Sequence, residues 1–563
     1  MIIAVTFIFL FMIGRLFVVQ VAQSDFLQEK AVDQWTRELP VKASRGLIID
    51  VNGNVLATGS ECYAVFVRPR CVTDAKTVAS ALSEIFSLDE STLYDKISTA
   101  KSSEITVARQ VDKSTVERLG EQDLDGVYYS TDNARVYPYE ELMCSVLGIT
   151  ATDGSGIYGL EKYYDKYLKG KDGGFLYEAD LVGKDIEGKT PSYVEATDGF
   201  NVRLNIDLEV QKIAEAAVAG VYSAYTPKSA SVIVLQPSTG KILAVATAPD
   251  FSLNDPPKDD TALFNKLIRS PVIVDSYEPG STFKTVTAAA DINEFLSGNA
   301  SALSLDHVFN ASRFRTVGGR QIKCWSTHAN GKHANERLAE ALNNSCNPCF
   351  VDIALSLGKR AMYGYIEGLN FGKVTGVDFP GEASGMLLPL SAVTDGDIAR
   401  ISFGQTIAVT PLQLAASTAA LVNGGTYMTP CFASEITDKN GKTIEVFPPK
   451  AVRRVITEKA SEILRGYLEQ VVAVGSGNKA YIEGYRVGGK TGTAQKYENG
   501  VIAQGKYVMS FIGFFPSQAP EYLALCVVDE PVGGQYGSTV AAPVVKEVFE
   551  KIISAKKIAP YAA

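Results

Sequence analysis

Residues 277–284 read YEPGSTFK. The Pro-Gly break stands directly before Ser281, and Lys284 comes three residues on. Proline and glycine do not continue a preceding element, so the spacing predicts a helix from about Ser281 through STFKTVTAAADINEFL. On its first turn Ser281 and Lys284 are i and i+3 and share a face. The unpaired N–H groups and positive dipole end of a helix N-terminus favour a developing oxyanion. A lysine desolvated in an apolar helix is disfavoured as an ammonium and serves as a neutral base. Ser281 as nucleophile and Lys284 as its base form an activation device that needs no histidine. The pattern alone is weak. Ser-x-x-Lys recurs at Ser98, Ser238, Ser356, Ser476 and Ser554, where a solvated pair is the ordinary reading.

Two later segments separate Ser281 from those. NNSCNPCF (343–350) contains Ser345-Cys346-Asn347, and GGKTGTAQ (488–495) contains Lys490-Thr491-Gly492-Thr493. In this order the chain resembles the penicillin-binding proteins and serine β-lactamases, whose signature is Ser-x-x-Lys, Ser-x-Asn, Lys-Thr-Gly. The likeness covers nearly the whole chain and is to the class B penicillin-binding proteins of the division or spore-cortex type. It is carried by YEPGSTFK itself, by SRGLIIDVNGNVLA (44–57), RVYPYEELMCSVLG (135–148) and GIYGLEKYYDKYL (156–168), and by ISFGQTIAVTPLQLAASTAALVNGG (401–425) and YGSTVAAPVVKEVF (536–549).

The resemblance implies a monofunctional peptidoglycan D,D-transpeptidase that β-lactams inhibit. Ser281, Lys284, Ser345 and Lys490 are then catalytic, and Asn347, Thr491, Gly492 and Thr493 bind substrate. By the same likeness, Ser281 attacks the penultimate D-alanine carbonyl of a stem peptide and Lys284 takes its proton. Ser345 and Lys490 relay a proton to the leaving amine, and Asn347 holds the substrate backbone. The Ser281 and Thr493 N–H groups form the oxyanion hole, and the Thr491 and Thr493 hydroxyls meet the substrate carboxylate. The family also implies docking to a polytopic glycosyltransferase of the SEDS type and to other division or sporulation proteins. It calls for no cofactor. The competing readings are a D,D-carboxypeptidase or β-lactamase that uses water as acceptor, and a silent β-lactam-binding scaffold. The large N-terminal region disfavours the first, and the intact motif residues disfavour the second.

Around these motifs the chain reads as an α+β protein with helices packed on an antiparallel sheet. LIIDVNGNVLA (47–57) and SASVIVLQPSTGKILAVAT (229–247) are hairpins, each with two apolar halves about a turn. Helices are expected at 337–357, 411–423 and 456–474, strands at 483–495, 507–516 and 522–531, and a closing helix after 540. The predicted domains are a transmembrane anchor (1–23), an elongated N-terminal pedestal or dimerisation-type domain (24–198) and a transpeptidase domain (199–563). The anchor rests on MIIAVTFIFLFMIG and LFVVQVA, an apolar run interrupted only by Arg15, with no basic n-region and no small-x-small cleavage site. It predicts a single-pass protein of the cell membrane, its catalytic domain on the extracytoplasmic side.

At 563 residues the chain is too long for one core, and its net charge of −9 argues against a nucleic-acid partner. Three histidines leave little room for histidine-based hydrolysis, and no Gly-x-Ser-x-Gly elbow is present. GYRVGGKT (484–491) fits a phosphate-binding loop, but its continuation into GTAQKYENG reads as strand and turn where that loop needs a helix. Cys324, His328, His333, Cys346 and Cys349 have no common zinc spacing, and Cys346 lies inside the Ser-x-Asn motif, so no metal is expected. Most of the eight cysteines read as buried apolar residues. Cys324 and Cys346 are also a candidate pair for a disulfide that would block or distort the site.

Overall fold

The computed structural model describes residues 2–24, 36–100, 102, 104–178, 192–310, 312–329, 333–498 and 501–561. The first hairpin forms as expected. Strands β1 (Ile48–Ile49) and β2 (Val55–Val67) pair antiparallel, with Ile48 opposite Ala57. Asp50 closes the turn, its carboxylate accepting from the N–H groups of Asn52 and Asn54 at 2.9 and 2.7 Å, the Asx geometry that makes Asp a turn residue. Strands β3 (Ile105–Val111) and β4 (Val127–Val136) flank β2.

The predicted boundary at 198/199 lies just before β5 (Asn201–Leu204), and β5 joins the two regions. It pairs parallel with β1 and antiparallel with Ala433–Thr437, so strands from both regions share one sheet.

The second sheet carries the chemistry. Helix α1 (Leu208–Tyr225) starts at Asp207, whose carboxylate accepts from the N–H of Glu209 at 3.1 Å. Strands β6 (Ser229–Gln236) and β7 (Lys241–Ala248) are the second predicted hairpin. Helices α2 (Lys284–Leu296), α3 (Leu338–Asn343), α4 (Asn347–Gly368), α5 (Pro411–Val422) and α6 (Glu458–Ala473) come next. Strands β8 (Gly488–Glu498), β9 (Val501–Phe515) and β10 (Tyr522–Asp529) and helix α7 (Gly537–Ala555) complete the chain. The sheet is antiparallel throughout, in the order β7-β6-β10-β9-β8.

Both faces are covered, which explains why β6 is apolar without alternation. Val232 and Val234 pack with Val218 of α1 and Phe549 of α7, while Ile233 and Leu235 join Val286 and Ala289 of α2 on the other face. The phosphate-loop reading ends here, because GKTGTAQ is strand β8 with no helix after it.

The strands expected at 483–495 and 507–516 run Gly488–Glu498 and Val501–Phe515, and two helices also differ from expectation. Gly280–Phe283 is a 3-10 turn, and the α-helix begins at Lys284 rather than Ser281. The helix expected over 337–357 is two helices, α3 and α4, with Ser345 between them in a left-handed conformation, φ 54°. At the N-terminus, Ile2–Phe17 is a helix that continues as a π-helical turn over Val18–Ala22. Among the described residues no helix is long and apolar enough to cross a membrane.

Candidate active site

The nucleophile turn is held by the 401–409 segment. Tyr277 and Val409 exchange both backbone hydrogen bonds, at 3.0 and 2.9 Å. The Gly280 N–H donates to the Gly404 carbonyl at 3.0 Å, and the Glu278 carboxylate accepts from the Thr406 N–H at 2.9 Å. The Pro-Gly break now has its reason. Gly280 has φ 57°, and a Cβ on it would sit 3.2 Å from the Thr493 carbonyl of β8. Gly492 is the matching small residue on the strand. A Cβ there would come within 2.5 Å of Ser510 Oγ and 3.0 Å of both Pro279 O and Thr282 Cγ2. The structure thus uses Gly492 to bring strand and nucleophile turn together.

Ser281 is half-buried as the second residue of the Gly280–Phe283 turn, and Lys284, the first residue of α2, is fully buried. The Lys284 Nζ donates to the Ser345 carbonyl at 2.7 Å, the Ser345 hydroxyl at 3.1 Å and Asn347 Oδ1 at 2.7 Å. Lys490, fully buried on β8, reaches the same Ser345 hydroxyl at 3.1 Å. One hydroxyl therefore lies between two amines whose hydrogen-bond partners are neutral oxygens. The helix break makes this possible: left-handed Ser345 turns the chain between α3 and α4, and Asn347 opens α4. Strain of this kind collects at functional positions.

Burial pushes the Lys284 amine down to about 8, against a partial opposing pull from Cys324, Cys346, Cys349 and Glu336. Lys490 is held well below its usual range by burial first and by Lys284 second. A buried pair of amines this close cannot both keep a proton cheaply, so at least one is a neutral base near neutral pH.

The rest of the triplet on β8 borders this pair. The Thr491 hydroxyl is 3.4 Å from Lys490 Nζ, and the Thr493 hydroxyl accepts from the Gly537 N–H at 3.0 Å, tying β8 to the start of α7. Asn347 Nδ2 donates to the Lys323 carbonyl at 3.2 Å. Two exposed aromatics went unremarked in the sequence. Trp325 donates its indole N–H to the Asn344 carbonyl at 3.1 Å and meets Tyr536 edge-on at 6.3 Å. Nothing in their local pattern marks them, since exposure and adjacency are properties of the fold.

Cys324 and Cys346 are both free thiols, with no disulfide between them. The spacing gave no support to a metal, yet the ligand atoms of Cys324, His328, His333 and Cys346 all lie within 4.8 Å of one another. The Cys324 thiol, hydrogen-bonded to that of Cys346 and buried, is raised above its ordinary value.

Known proteins place this arrangement. The penicillin binding protein transpeptidase domain matches residues 230–550, and the penicillin-binding protein dimerisation domain matches residues 40–204. The stage V sporulation protein D of Bacillus subtilis is 37% identical over 96% of this chain and 83% of its own length. The peptidoglycan D,D-transpeptidase FtsI of Escherichia coli is 28% identical over 98% of this chain and 90% of its own. The crystal structure of a peptidoglycan synthetase from Bifidobacterium adolescentis superposes with a TM-score of 0.75 at 25% identity, covering 94% of this chain and 98% of that one. With its transpeptidase and dimerisation regions both matched and its three motifs meeting at one hydroxyl, the chain belongs to the class B penicillin-binding proteins.

Proposed function

We propose that this protein is a peptidoglycan D,D-transpeptidase working through a serine acyl-enzyme on Ser281. The observation that carries the reading is the Ser345 hydroxyl held 3.1 Å from both Lys284 and Lys490. Neutral Lys284 takes the Ser281 proton as Oγ attacks the penultimate D-alanine carbonyl. The tetrahedral oxyanion is met by the N–H groups of Ser281 and Thr493. Close contact of Gly280 with Thr493 supports that pairing, and removing such a donor typically costs about 3–4 kcal/mol. The proton reaches the leaving D-alanine amine through Ser345 and Lys490, so the C–N bond breaks as the ester forms. An acceptor amine from a neighbouring stem peptide then attacks the ester and releases Ser281. Asn347 orients the substrate amide, and Thr491 and Thr493 receive its carboxylate. β-Lactams stop the cycle at the acyl-enzyme.

The same reading anchors the protein in the cell membrane through its N-terminal segment, with the catalytic domain outside. The helix Ile2–Phe17 is too short to span a bilayer by itself, and what supports the reading is its exposed apolar surface, with Ile2, Phe7 and Phe11 82%, 73% and 75% exposed. The N-terminal region docks a polytopic glycosyltransferase of the SEDS type, and the likeness to a stage V sporulation protein supports a place in sporulation.

The test is adduct mapping. Penicillin-treated protein is expected to carry its acyl group on Ser281, and Ser281→Ala to take up no fluorescent penicillin. Equal labelling of that variant would end the reading. Stem peptide supplied with an amine acceptor is expected to yield crosslinked dimer, and exclusive hydrolysis would favour the carboxypeptidase alternative.

A further inference from the structure

We propose that Cys324, His328, His333 and Cys346 form a structural zinc site against the back of the active site. Zinc bound by two thiolates at about 2.3 Å and two imidazoles at about 2.0 Å places neighbouring ligand atoms about 3.3–3.8 Å apart in a tetrahedron. Cys324 Sγ lies 3.7 Å from His333 Nδ1, and Cys346 Sγ lies 3.8 Å from His328 Nε2. Cys324, His333 and Cys346 are 4%, 6% and 2% exposed and His328 is half-buried, so three of the four ligands are secluded from solvent, as suits a zinc site with four protein ligands. Both histidines hold left-handed backbone, φ 56° at His328 and φ 61° at His333, a conformation that costs a non-glycine residue about 1–2 kcal/mol. Two such positions in one short loop, each placing a ring nitrogen beside a sulfur, are what a ligand shell would sustain.

Charge favours the same assignment. On binding, both thiols release their protons to solvent, and two thiolates with two neutral imidazoles balance the dication. The neutral cluster can then lie beside buried Lys284 without adding an unpaired charge. Soft sulfur with imidazole selects zinc over magnesium or calcium. Glu336 accepts from Asn344 Nδ2 at 2.6 Å and stands 3.9 Å from His333 Nδ1, at the edge of the cluster.

The site has a consequence for the chemistry. Cys346 is the residue between Ser345 and Asn347, and Cys324 precedes Trp325. A metal joining the two sulfurs fastens the α3–α4 break to the loop that carries exposed Trp325. That loop is otherwise linked to Asn347 by its 3.2 Å bond to the Lys323 carbonyl.

The inference stands apart from the transpeptidase reading, because metal content is measured without substrate. The full chain, purified under reducing conditions without added chelator, is analysed by elemental mass spectrometry. After chelation it is titrated with cobalt(II). One zinc per chain is expected, together with thiolate-to-cobalt charge-transfer absorption and the intense visible bands of a tetrahedral ion. Cys324→Ser and His333→Ala should each lose about tenfold or more in affinity, whereas Cys349→Ser should keep it. Should a ligand variant fail to fold, wild type alone decides: zinc added back to chelated protein must raise its melting temperature and restore the rate of penicillin acylation. Reduced wild type that holds no zinc and shows no charge-transfer band overturns the proposal. So does metal that survives both ligand variants, or a Cys324–Cys346 disulfide in protein that binds no zinc once reduced.

Discussion

Arg45 and Arg135 in the N-terminal region, with side chains 8% and 4% exposed, are nearly as secluded as the fully buried Lys284 and Lys490 of the transpeptidase region, yet the two pairs of cations are treated in opposite ways. The arginines close on Glu161, itself fully buried, at 2.6 Å each, and Arg45 adds Asp165 at 2.7 Å. Burial opposes the charge on Arg45, and Glu161 with Asp165 more than offsets it, so its pKa is raised. The lysines meet hydroxyl, carbonyl and amide oxygens, and theirs are lowered. A buried cation given carboxylates is a fastener, whereas one given only neutral acceptors has a proton to spare. The fastener joins three N-terminal segments, 44–57, 135–148 and 156–168, each of which supplies at least one of its members.

The sharpest way to break that comparison is to remove one member from each side. Lys284→Met should cut the penicillin acylation rate by about 10²–10⁴, the usual worth of a positioned general base, with no fall in melting temperature, since an amine held against desolvation gives way to an apolar side chain. A large loss of stability there would make Lys284 a structural residue and erase the distinction. Glu161→Gln should do the reverse. Leaving two buried guanidiniums underpaired costs about 3–5 kcal/mol in chemical denaturation, while the folded fraction acylates at the parent rate.

Smaller effects sharpen the picture. Gly492→Ala should cost about 1–3 kcal/mol by overpacking, and should slow acylation because the added methyl parts β8 from the nucleophile turn. If acylation is unchanged, the strand does not need that close approach. The mildest prediction concerns pH. The acylation rate should climb as pH rises through about 8, where the Lys284–Lys490 pair gives up a proton, and Lys284→Met should flatten the profile. Between about 8 and the unfolded lysine value, the unfolded chain holds a proton the folded chain lacks, so this group's contribution to stability increases with pH across that window. A melting temperature that falls there in wild type relative to Lys284→Met would contradict the assigned direction.

Much of this was legible in the chain. The hairpins at 47–57 and 229–247, the strands of the catalytic sheet and the closing helix are all written in short-range pattern. What failed did so at breaks. The expected helix over 337–357 hid the turn at Ser345, because apolar periodicity runs on through residues 344–346 even though the backbone does not. The start of α2 slipped from Ser281 to Lys284, because a 3-10 turn and an α-helix share the same opening signals. The cysteine and histidine spacing carried no zinc signature, and only the fold brings the ligand atoms of Cys324, His328, His333 and Cys346 within 4.8 Å of one another.

By itself, the sequence determined which residues make up the three motifs, in what order they come, and that Lys490 lies on a strand, because those properties depend on neighbours a few positions away. Only the tertiary structure decided that Lys284 and Lys490 share one hydroxyl, that Arg45, Arg135 and Glu161 meet, and that two cysteines gather two histidines behind Ser345. Such contacts, along with the loss of solvent that shifts a lysine's proton affinity, arise from packing segments tens to hundreds of residues apart, and no local pattern encodes that proximity.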